Sequence, residues 1–181
     1  IQMDMSFYGG FAGTETERSQ RNPSANPTIV QEERSNYGAL AFQGTVGLDT
    51  VVDGFVFPTY IGIFTNGSSP TIIHNAFRDG VAAVNNWGGS PRFLHNTVSN
   101  MSYCALGLAG GNPLVQGNLI TGSAAGVLCG ALLGGPSGGL HIIVGNTFAG
   151  VNPAIDVDAV SCYIADNLSI GSPIIVRQGP S

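Results

Sequence analysis

The sequence predicts an all-β fold, a triangular right-handed parallel β-helix of about eight coils, each of roughly 21–22 residues, with three strands per coil. Two observations predict it: an asparagine recurring at nearly fixed spacing, and apolar columns that keep step with it. Asn75, Asn96, Asn118, Asn146 and Asn167 each stand three residues after an aliphatic or aromatic residue (Ile72, Phe93, Val115, Ile143, Ile164). Three of the four intervals between them are almost equal, and only the one from Asn118 to Asn146 is longer. Glycine takes the place in Phe7-Tyr8-Gly9-Gly10 and Val51-Val52-Asp53-Gly54, with Ile29 to Glu32 as a degenerate copy between them. A repeat this short can bury its apolar face only by stacking on its neighbours.

Three apolar columns set the strands. The first is Phe7, Ile29, Val51, Ile72, Phe93, Val115, Ile143 and Ile164. The second, two residues after the asparagine, is led by Val56, Phe77, Val98, Ile120 and Phe148. The third, nine after it, is Ala41, Ile63, Val84, Ala105, Val127, Ile155 and Val176. The handedness follows from the rule for parallel crossovers. Pro27, Pro70, Pro91 and Pro113 stand five residues before the key position, at a strand entry where a fixed φ and a missing donor do no harm. The asparagine then falls at the turn between first and second strands. Asn and Gly tolerate a left-handed backbone there, and an inward amide can bond to the coils on either side. The expected ladder is Gly54, Asn75, Asn96, Asn118, Asn146 and Asn167. The long interval before Asn146 is a coil carrying a Gly-rich loop within 131–139.

Composition bounds the function. Residues 1–181 read as one domain. Charged residues are 9 % of the chain, lysine is absent and the net charge is −5, which excludes a basic nucleic-acid footprint. No apolar run approaches the roughly eighteen residues of a membrane span. Cys104, Cys129 and Cys162 lack metal-ligand spacing and read as small core fillers, so neither metal nor cofactor is expected. The chain begins on Ile1, as a processed or trimmed product would.

Much of the charge lies in an early segment, 14–36. Here Tyr8-Gly9-Gly10-Phe11-Ala12-Gly13-Thr14-Glu15-Thr16-Glu17, then Arg21-Asn22-Pro23 and Asn26-Pro27-Thr28-Ile29, resemble the early coils of secreted bacterial right-handed β-helix repeat proteins of the pectin-lyase-like superfamily. The resemblance implies an extracellular or cell-surface location. It leaves activity open, because one fold hosts lyases, hydrolases, adhesins and inert rods. A pectate lyase would need calcium-binding carboxylates and a basic residue along the third strand. Only Asp156, Asp158 and Arg177 bring charge there, so the lyase motif does not carry over.

One polar column could hold chemistry: Asp53, His74 and His95, each just before the key position in consecutive coils. Stacking would bring them about 5 Å apart, as a metal site or an acid–base relay, or simply as polar residues beside a turn. His141 reads as a local surface residue. On the third strand, Phe42, Phe64, Leu106 and Leu128 are expected to face outward, a ribbon costly in water that a loop or another copy should cover. Both ends of the chain are strand-like and invite head-to-tail addition, or belong to a fragment of something longer. The sequence therefore points to a non-catalytic extracellular structural solenoid. Its expected partners are other copies of itself, with a glycan as the second candidate, and no nucleic acid or membrane. The alternatives are a polysaccharide lyase or hydrolase using Asp53, His74 and His95 or the Asp156–Asp158 edge, and a monomeric adhesin fragment.

Overall fold

A computed structural model describes residues 1–32, 37–130 and 138–177. Glu33 to Asn36 of the early charged segment, and 131–137 of the Gly-rich loop, lie outside the described residues. The protein is a parallel β-solenoid of three sheets, each seven strands deep, so six turn-to-turn steps run from first coil to last. At roughly 4.8 Å per step the stack is about 29 Å tall. Every strand pairs in parallel with its equivalents one coil away.

The fourth coil shows the plan. Strand β10 (Arg92–Leu94) lies in the first sheet, β11 (Thr97–Ser99) in the second and β12 (Cys104–Ala109) in the third. The inward files are close to fully apolar: Val52, Ile72, Phe93, Val115 and Ile143 in the first sheet, Phe57, Phe77, Val98, Ile120 and Phe148 in the second. Phe57 and Phe77 stack in parallel along the second file at 4.8 Å, and Phe77 also tilts onto Phe93 of the first file at 5.7 Å. Gly62 makes room for this, since a Cβ there would lie 2.5 Å from the Phe77 ring. Phe77→Leu should therefore cost about 2 kcal/mol, read as a lower urea midpoint at unchanged slope, because it removes a stacked ring and leaves a partial void.

The first coil is longer than the repeat suggests. Thr28–Ile29 is not the start of a copy of its own; it is the second-sheet strand of the coil opened by Phe7–Tyr8. The chain between them makes an excursion in which Glu15 accepts the backbone N–H groups of Ala12, Gly13 and Thr14 at 2.7, 2.9 and 3.0 Å. The bond from Ala12 first, then that from the backbone of Glu15 itself, with those from Gly13 and Thr14, hold its carboxyl below the usual carboxylate range. The apparent eighth coil disappears into this excursion.

Two registers differ from the column reading. Val52, not Val51, pairs with Ile72, so Gly54 does not belong to the asparagine file. Phe55 takes that place, its N–H donating to Asn75 Oδ1 at 3.0 Å. The left-handed residue is the one before each asparagine: His74, His95, Gly117, Gly145 and Asp166 have φ of 54, 51, 66, 63 and 55°, and Gly54 joins them at 83°. In the third sheet, Leu106 rather than Ala105 pairs with Val84 and Val127. The interval from Asn96 to Asn118 is one longer than that from Asn75 to Asn96. Its extra residue falls ahead of this strand, and a shift of one reverses which face a side chain occupies. Leu106 consequently points inward, and Phe42 does so because Leu40, not Ala41, pairs with Ile63 in the first coil; both are fully buried. Phe64 and Leu128 do face outward, yet are only 6 % and 7 % exposed. Tyr37 and Trp87 sit edge-on to Phe64 at 5.9 and 5.8 Å, while Leu128 joins a small cluster with Ala82, Cys104 and Ala125. Hence the four residues form no open self-association ribbon.

Candidate functional site

The ladder runs through Asn75, Asn96, Asn118, Asn146 and Asn167. In the first four, the backbone N–H donates to Oδ1 of the next asparagine at 2.8–2.9 Å. Each Nδ2 also reaches back to a carbonyl of the preceding coil, Val52, Ile72, Phe93, Val115 and Ile143 in turn. The amides thus satisfy corner groups that an apolar side chain would leave orphaned inside the core. Among the described residues the ladder runs as far as Asn167, whose N–H meets no further asparagine.

Asp53, His74 and His95 do come together, although Asp53 belongs to the strand and not to the turn column. Asp53 Oδ1 lies 3.5 Å from His74 Nδ1, and the two imidazoles stack at 5.9 Å with 19° between planes. The row ends at Gly117, where a Cβ would lie 2.5 Å from the His95 ring. What the column could not show is Arg21. The early excursion folds over this edge and sets its guanidinium on Asp53 Oδ2 in a close ion pair, with further bonds to the carbonyls of Gly9 and Asp53 at 3.2 Å. Arg18 and Arg21 lie over the Tyr8 ring at 4.5 and 5.4 Å. The carboxylate that would serve as base is therefore occupied by a cation and oriented toward the excursion, an arrangement that pins the loop to the solenoid.

The acidic edge of the third sheet is occupied in the same way. Arg177 donates from Nε and Nη2 to the two oxygens of Asp156 at 2.9 and 2.8 Å, and Asp156 is 5 % exposed. A buried, bidentate carboxylate beside a partly exposed Asp158 is not the facing pair that glycoside hydrolysis requires.

The third cluster went unread in the sequence. His141 is not a surface residue: it is fully buried, on the inward face of β16 (Leu140–Val144). It pairs in register with Cys162 of β19 (Ser161–Ala165), and Cys129 of β15 (Val127–Gly130) faces them across the corner. The two sulfurs and a ring nitrogen lie within 4.8 Å of one another. Neither nitrogen of His141 has a hydrogen-bond partner. The Cys129 thiol, and after it the His141 ring, hold the Cys162 thiol below its ordinary range against partial burial, while Cys129 is driven above it. Cys104 sits apart, and burial alone pushes it up to about 12. A signal was present: Pro70, Pro91 and Pro113, five residues before the ladder asparagines, give way to His141 and Cys162 in the last two coils.

Against protein-family models, curated proteins and solved structures, the chain matches none.

Proposed function

We propose that the protein is a non-catalytic structural β-solenoid that works outside the cell and extends by adding copies of itself end to end. One observation carries the reading. Ile174 and Val176 continue the inward files of Ile155 and Val157, which are 0 % and 2 % exposed, yet they are themselves 44 % and 67 % exposed. In this reading, the core-facing side chains exposed on the last described rung are covered by the first rung of another copy. A contact between two different faces of the same molecule repeats without closing, and so makes a filament. The ion pairs that occupy Asp53 and Asp156 favour a scaffold over a hydrolase or lyase. The resemblance of the segment around Tyr8 to Glu17 to secreted β-helix repeats supports the extracellular setting and the pectin-lyase-like kinship.

Sedimentation velocity over a concentration series tests this. The chain should form species larger than one copy, and Val176→Asp should return it to a monomer without loss of β-structure, because the site is largely exposed in the single copy. A wild-type chain that stays monomeric throughout the series contradicts the reading.

A further inference from the structure

The buried Cys129–His141–Cys162 cluster is unexplained by a purely structural role. Thr65 Oγ1 donates to Asn86 Oδ1 at 2.7 Å, and Asn86 Nδ2 reaches the carbonyl of Gly110 at 3.2 Å; the other buried atoms without a partner among the described residues, Asp53 Oδ1, Thr59 Oγ1 and Asn85 Oδ1, are single atoms on separate side chains. His141 has two silent nitrogens at zero exposure. Native cores leave few polar groups without a partner, and an unfilled polar site of this kind asks for a ligand.

We propose that Cys129, His141 and Cys162 bind a zinc ion. The donor set is two sulfurs and one imidazole, which suits zinc and excludes the hard cations calcium and magnesium, whose shells are oxygen. In tetrahedral zinc coordination the ligand atoms stand about 3.5–3.8 Å apart, so a cluster already within 4.8 Å closes by side-chain rotation without moving a strand. Charge points the same way. Two thiolates and a neutral imidazole on a divalent ion make an assembly with no net charge, the form an apolar interior accepts at least cost. Both thiols release their protons to solvent on binding. The three ligands come from three successive coils, so the ion would staple the final turns of the solenoid across the corner between third and first sheets. Cys129 and His141 are buried, whereas Cys162 is partly exposed on the last coil; the ion enters there, and the fourth position faces that side.

The test uses the whole chain, reduced and metal-free under anaerobic conditions, with cobalt(II) and zinc(II) as probes. One equivalent of cobalt should bring up a thiolate-to-metal charge-transfer band and the visible bands of a tetrahedral ion, and one equivalent of zinc should abolish them. Cys104→Ser should keep these bands and Cys162→Ser should lose them. Zinc should also slow alkylation of Cys162 in the wild-type chain by about tenfold or more, located by mass spectrometry, with no such protection of an exposed control thiol peptide. This second measurement needs no variant to fold. Absence of the charge-transfer band in folded, reduced wild-type protein, its survival in Cys162→Ser, or unchanged alkylation with zinc present would overturn the proposal. Failure of the filament reading leaves these outcomes untouched, because the ligands lie within one copy.

Discussion

Asn118→Ala should cost the protein about 3–5 kcal/mol, enough to lower the midpoint of thermal unfolding sharply. The amide of Asn118 has five hydrogen-bond contacts, its two Nδ2 hydrogens being shared among three acceptors. Its Oδ1 accepts from Asn96 N at 2.8 Å and Asn96 Nδ2 at 3.2 Å; its Nδ2 donates to the carbonyls of Phe93 and Gln116 at 2.9 and 3.1 Å and to Asn146 Oδ1 at 2.9 Å. Alanine removes the side chain and leaves its partners at a corner that water does not reach, since Asn118 is 2 % exposed. Each orphan then bears the full loss of solvation. Asn112 provides the control. It also accepts a backbone N–H, from Leu140 at 2.8 Å, but at an exposed corner, so Asn112→Ala should cost no more than about 0.5 kcal/mol. Equal losses at the two sites, measured by urea unfolding, would show that the ladder does not hold the coils together.

Gly111→Val should be more damaging, at about 5 kcal/mol or above, to the point of little folded protein. Where the third sheet hands over to the first, Ser68, Gly89, Gly111 and Gly139 stack so tightly that a Cβ on each of the glycines would stand 1.8 Å from the carbonyl oxygen of the residue below. No rotamer relieves a clash between a Cβ and backbone. Gly111 also has φ +74°, where a β-branched residue is strained on its own account. Gly44 separates the two effects, having the same φ of +74° with nothing within 4 Å. Gly44→Ala should therefore cost only about 1 kcal/mol, and Gly111→Ala several times that, by the same unfolding measurement.

The fold was legible because its commonest signals are local and repeated. An asparagine returning at almost equal intervals, with β-favouring residues three before and two after, can hardly be accommodated except by stacked coils. Register was less legible. Counting from the asparagine assumes equal spacing within every coil, and one additional residue before the third strand moved Leu106 indoors and Ala105 out of its place in the file. Leu106 was lost as a surface residue for that reason, and Phe42 because it was counted from Ile29 to Glu32, where the strand belongs to the second sheet and opens no copy of its own. Gly54 misled in another way, because glycine suits both the ladder corner and the left-handed position beside it, and only the pairing of Val52 with Ile72 decides between them. The long-range contacts were not legible at all. Arg21 reaches Asp53 across 32 positions through an excursion with no repeat, and Cys129 meets Cys162 only after two coils have closed. Even so, the exchange of proline for His141 and Cys162 within one column marks the place where the core changes its chemistry.

Hydrogen exchange followed as a function of protein concentration tests the central claim most directly. If copies stack rung on rung, the backbone amides of Asn167 and of 174–177 should become protected as concentration rises, while the interior strands such as Cys104–Ala109 stay as slow as before. Exchange at those terminal amides that is fast and independent of concentration would contradict it.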